Sequence, residues 1–143
     1  MHNPVKLAIN FDEISDDFQE ATNVMQSLGI QYGELRTVQK KNYVFWTDDE
    51  VNTFKQQVEQ RGISLVAAAT PLFKWYSSSD DIDVPHDSFG FNPRLSKDEK
   101  LQIIKRTMEV SQLLGIPKLR IFSELKSARD SIDSFATNEL LSY

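Results

Sequence analysis

Three stretches of this chain end alike: "SLGIQYGELRTV", "QRGISLVAAAT" and "LLGIPKLRIFSE". Each reads as the last turn of an amphipathic helix, then Gly-Ile, then a strand. Gly29, Gly62 and Gly115 stand where a helix ends in a left-handed residue, a conformation glycine adopts without a Cβ clash. Ile30, Ile63 and Ile116 follow at the position that folds back on the helix end. A unit that repeats helix, glycine stop and strand restricts the chain to parallel βαβ architecture with right-handed crossovers.

The helix starts agree. "TDDE" (Thr47 to Glu50) and "SKDE" (Ser96 to Glu99) fit the capping box, a hydroxyl N-cap with Glu three residues on. Ser15 precedes Asp16 and Asp17, whose charges favour a helix N-terminus. The apolar stripes have helical spacing. They are Phe18, Ala21, Met25 and Leu28; then Val51, Phe54 and Val58; then Leu101, Ile104, Met108, Ser111 and Leu114. Strands are expected at residues 5–11, 32–38, 64–70 and 118–122. The tail, "SELKSARDSIDSFATNELLSY", carries Ile132, Phe135 and Leu140 at roughly helical spacing and suggests a fourth helix.

Two folds accommodate this order. One is a doubly wound sheet of flavodoxin type. The other is the N-terminal half of a (β/α)8 TIM barrel. On the second reading residues 1–143 form a single partial-barrel domain, with residues 71–95 a long loop after the third strand.

Composition narrows the function. The 143 residues include no cysteine, which excludes disulfides, thiolate metal sites and a cysteine nucleophile. The net charge of −5, with scattered Lys and Arg, argues against nucleic acid as a partner. No apolar run has the length of a membrane span and the N-terminus has no signal-peptide pattern, so a cytoplasmic protein that engages no membrane is expected.

In both folds chemistry gathers at the C-terminal ends of strands. The first strand offers Asn10 and Asp12 there. The second offers Glu34 and Arg36, two apart and so on one face. The third is followed by Thr70, Lys74 and Trp75, and the fourth by Arg120, Phe122, Ser123 and Glu124. Glu34 and Arg36 can form an internal ion pair, contact a substrate or face solvent, since a charged pair on an internal strand needs a partner or a polar cavity. Lys74 is a point charge suited to phosphate or carboxylate. The long loop holds "PHDSFGFNP", whose His86 is one of two histidines. A lone loop histidine is more often a surface residue, but Asp87, Phe89 and Phe91 beside it suit a site. No GxGxxG, Walker A, HExxH or GxSxG pattern occurs. The third strand ends in Thr70-Pro71 instead of the aspartate a response regulator would carry. The acidic "NFDEISDD" after the first strand does not suit a flavodoxin phosphate loop.

The succession "GIQYGELRTVQKKN", "RGISLVAAATPLFKW", "HDSFGFNP" and "LLGIPKLRIFS" resembles the xylose isomerase-like TIM barrels. That superfamily holds the sugar phosphate isomerases and epimerases and the apurinic endonuclease relatives. The resemblance runs from about residue 5 to about residue 124. It implies metal-assisted proton transfer on a small sugar or keto acid. In the full-length family a divalent metal (Mn, Mg, Zn or Co) polarises the carbonyl and carboxylates move the proton. The metal ligands there come mainly from strands beyond the fourth, so the resemblance carries no metal ligand onto this chain. It places Glu34, Arg36, Lys74, Trp75 and His86 on the substrate side. It also implies an incomplete barrel, inactive alone. Such a barrel would work by association, as a homodimer or with a complementary C-terminal half. DNA cleavage by the endonuclease relatives uses several histidines, which this chain lacks.

Overall fold

All three Gly-Ile segments close their helices as the repeat predicts. The computed structural model describes residues 5–76 and 94–123. It contains α1 (Phe18–Ser27), α2 (Asp48–Gln60) and α3 (Lys97–Leu113). At each helix end the glycine N–H donates to Gln26, Glu59 or Gln112, and the isoleucine N–H donates to Met25, Val58 or Ser111. This double bond is the Schellman ending. The glycines lie at φ +70°, +64° and +67°, and a Cβ there would meet nothing within 4 Å. Backbone conformation, not space, requires glycine at these points.

The capping boxes form as read. Thr47 and Glu50 bond reciprocally at the start of α2, and Ser96 and Glu99 do so at the start of α3. At α1 the cap is Asp17, whose side chain accepts from the Glu20 N–H at 2.9 Å. Ser15 bonds the Asp17 N–H and the Glu20 carboxylate instead.

The strands are shorter than the sequence suggests. They are β1 (Ala8–Asn10), β2 (Tyr32–Leu35), β3 (Thr37–Val38), β4 (Lys41–Asn42), β5 (Ser64–Ala69) and β6 (Leu119–Arg120). The expected strand over 32–38 stops before Arg36 and turns into an antiparallel hairpin, β3–β4. Its turn places Gln39 and Lys40 at φ +51° and +61°. Two-residue hairpins require such angles, but they usually recruit Asn-Gly. Here the Gln39 N–H donates to the Asp16 carbonyl at 2.8 Å and holds the turn.

The main sheet is parallel, in the order β1-β2-β5-β6. Its architecture is α/β, as expected. The chain divides into two compact units, whose described residues are 5–70 with 105–120 in the first and 71–76, 94–104 and 121–123 in the second. The first unit holds the sheet. Its core joins Phe18, Ala21 and Met25 of α1, Val51, Phe54 and Val58 of α2, and Val110 and Leu114. Ile9, Leu35, Leu65, Ala68 and Leu119 meet them from the strands. These strand residues share one face, because Ile9 pairs with Gly33, Gly33 with Leu65, Leu35 with Ala68 and Ala68 with Leu119. The opposite face carries Asn10, Glu34 and Ala67 in register.

Two stripe positions differ from the sequence reading. Leu28 is 65% exposed and Met108 is 57% exposed. Ser111 of the expected stripe, and Leu114 just past the end of α3, are buried as read, and Lys100, Thr107 and Val110 are buried beside them. The polar side chains of Lys100 and Thr107 concealed their burial. The second unit has its own small cluster, Leu72 and Trp75 with Phe73, Leu95, Ile103 and Ile104. The expected fourth helix and most of the long loop lie outside the described residues.

Candidate functional site

The end of β1 is set by Phe11. It opens a 3-10 turn, Phe11–Glu13, and its ring enters the core, 5.1 Å from Phe18 in an edge-to-face contact. Gly33 on β2 makes room, since a Cβ there would overlap the Phe11 ring. Flanking Phe11 are Asn10 and Asp12.

Asp12 has a side chain only 2% exposed. Its Oδ2 accepts from Arg36 Nε at 2.7 Å and from the Thr37 hydroxyl at 2.5 Å. Arg36 also donates from Nη2 to Glu13 at 2.8 Å. The hydrogen bond to Asp12 is the main cause that holds the Arg36 guanidinium above its ordinary pKa, against the opposing pull of partial burial. Asp12 Oδ1 and Asn10 Oδ1 are buried and have no hydrogen-bond partner among the described residues. Glu34 pairs in register with Asn10, so both stand on one face at adjacent strand ends.

The Glu34–Arg36 pairing left open by the sequence is not made. Arg36 lies beyond β2, in the bend before the hairpin, and turns to Asp12 and Glu13. Glu34 makes no hydrogen bond or ion pair among the described residues.

In the second unit, Lys74 N–H donates to the Pro71 carbonyl at 3.0 Å and closes a turn. Phe73 stands at φ +60° at the third position of that turn, where glycine is the usual residue. Its ring lies 5.1 Å from that of Trp75, which is fully buried. The Trp75 indole nitrogen is buried and has no hydrogen-bond partner among the described residues. Lys74 Nζ sits 5.5 Å from the Phe122 ring centroid. Lys100, buried and unanticipated, donates to the Tyr76 carbonyl at 3.3 Å and lies 5.6 Å from the Trp75 ring centroid. The aromatics of "PLFKWY" thus build a local core. The helical spacing from Lys100 to Ile103, Ile104 and Thr107 was the available sign that Lys100 faces inward.

Glu34 and Arg36 therefore belong to the first unit and Lys74 and Trp75 to the second, each in the surroundings given. His86 lies outside the described residues, as do Asp87, Phe89, Phe91 and Glu124. Among the described residues no group of three or more His, Asp or Glu is placed to hold a metal ion. No helix among the described residues is long and apolar enough to cross a membrane. Comparison with protein-family models and with curated proteins gives no match.

Proposed function

We propose that this chain is half of a (β/α)8 barrel of the sugar isomerase and epimerase kind, presenting its strand C-termini to a small sugar or keto acid. The observation that carries the reading is the winding of the sheet. The four parallel strands follow chain order across it, β1-β2-β5-β6. The apolar stripes of α1 and α2, with Val110 and Leu114, gather on one face. A doubly wound sheet of flavodoxin type reverses its strand order and packs helices on both faces. A barrel winds in one direction with its helices outside.

On this reading the polar face carrying Asn10 and Glu34 is the inner, substrate-facing one. Arg36 acts by holding Asp12. Four strands close no barrel, so a second copy or a complementary half would supply the remainder. Proton transfer and any divalent metal would belong to the assembled barrel, and the chain alone would be inactive.

Light scattering on the purified chain, with and without Mn²⁺ or Mg²⁺, tests this. The expected result is a dimer of the 16.4 kDa chain, or a complex once a complementary half is added. A well-folded monomer that neither metal nor added half changes would overturn the half-barrel reading.

A further inference from the structure

We infer that two copies of this chain close one eight-stranded barrel, β6 of each pairing in parallel with β1 of the other, with Glu34 and Arg120 of both copies alternating in one interior layer. The inference rests on the half-barrel reading and names its missing half as a second copy.

Three observations carry it. First, both outer strands have an open edge. Among the described residues β1 pairs only with β2, and β6 only with β5. Second, the register is the one that two halves need. Asn10 stands level with Glu34 and Ala67, and Ala67 is one step before the Ala68–Leu119 pair, hence level with Lys118. A barrel of eight strands has a shear of eight, so each half contributes an offset of four residues. Lys118 then meets Lys6 of the second copy, and Leu119 meets Leu7. Counted the other way, Lys118 would meet Ile14, beyond the 3-10 turn. An even offset keeps the faces matched. Leu119 packs on the helix side, and Leu7 and Val5, just ahead of β1, follow the alternation of Ile9 onto that side. Leu7 is 69% and Val5 90% exposed, as apolar residues at an uncovered edge are. Third, the charges are complementary. An interior layer of such a barrel joins alternate strands, two residues on from the level position. Counted from Glu34 on β2, that position on β6 is Arg120. With two copies the layer reads Glu, Arg, Glu, Arg. The side chains of β5 on this face, Ala67 and Ala69, are small and leave both room. Glu34, which makes no ion pair among the described residues, gains an Arg120 on either side, one from its own chain and one from the copy.

The chain has no cysteine, so introduced ones report the pairing directly. Lys6→Cys/Lys118→Cys replaces two exposed lysines that this register sets against each other. Adjacent strands lie about 4.8 Å apart, within disulfide reach. Inside one chain the two positions are three strands apart, roughly 14 Å, too far to bridge. Oxidation should give a disulfide-linked dimer; cross-linking no faster than in either single variant overturns the inference. Sedimentation equilibrium supplies the second arm. Glu34→Arg and Arg120→Glu should each weaken the dimer about tenfold or more, through like charges in one layer. The combined exchange should bring the dissociation constant back to within about threefold of the native value. A charge pair confined to one chain would move the thermal midpoint of the dilute monomer and not the dissociation constant, which also overturns the inference. A dimer that fails either arm leaves the half-barrel reading standing, as does a chain that stays monomeric alone yet binds a complementary half. A monomer that no added half changes overturns both.

Discussion

Removing the Arg36 side chain would leave the Asp12 carboxylate, 2% exposed, with the Thr37 hydroxyl as its remaining hydrogen-bond donor. Breaking a buried pair from one side typically costs about 3–5 kcal/mol, because the other charge stays buried. Arg36 itself is 25% exposed, so water can partly replace it, and about 2–3 kcal/mol is the expected loss for Arg36→Ala. Glu34 has no such partner among the described residues, and Glu34→Ala should change stability by no more than about 0.5 kcal/mol. Urea unfolding of the two variants separates them. Equal losses would mean that Glu34 takes part in the network after all. The contrast also bears on function. A stabilising Arg36 beside a neutral Glu34 would mark Arg36 as the residue that positions Asp12.

The helices depend on their ends, and the start of α2 allows a clean test. Thr47→Ala removes the acceptor for the Glu50 N–H and should cost about 1 kcal/mol. Glu50 closes the box from the other side, accepting from the Thr47 N–H at 2.7 Å and from Lys41 at 2.8 Å. The Lys41 hydrogen bond, then the Thr47 N–H, hold its carboxyl below the ordinary 4.5. A carboxyl depressed in the folded state contributes stability that is present above the unfolded value and lost as pH falls through the folded one. Glu50→Gln should therefore flatten the acid limb of the stability profile below about pH 4.5, and leave its slope at neutral pH unchanged. An unchanged acid limb would remove Glu50 from the cap. These ends were legible in the sequence because caps and Schellman endings are local, set within a few residues. The β3–β4 hairpin was not, since Gln39-Lys40 carries no turn signature and is held through Asp16. The partnership of Arg36 with Asp12 was equally hidden, because 24 residues separate the two and only the fold brings them together. Asn10 and Asp12 could be placed at a strand end from the sequence, but their unmatched oxygens could not.

At the scale of the whole molecule, the chain places one tryptophan in each of its two units. Trp46 is part of the large core with Phe54, at 4.8 Å between ring centroids. Trp75 lies in the small cluster with Leu72. The larger core buries far more apolar surface, and local stability follows such burial. Trp46→Phe and Trp75→Phe each leave a single tryptophan, so fluorescence in urea follows one unit at a time. The variant retaining Trp75 should lose its native signal at a lower urea concentration than the variant retaining Trp46. Each substitution shrinks a buried ring, so the comparison needs a reference within the same variants. Far-ultraviolet circular dichroism, dominated by the helices, supplies one. It should coincide with the Trp46 signal and lag behind the Trp75 signal, because α1 and α2 both pack in the larger core. Coincidence of all three curves would mean that the two units unfold as one cooperative body. An early Trp75 transition would instead identify "PLFKWY" and its cluster as a separately melting element, able to rearrange while the sheet with Asn10, Asp12 and Arg36 stays intact.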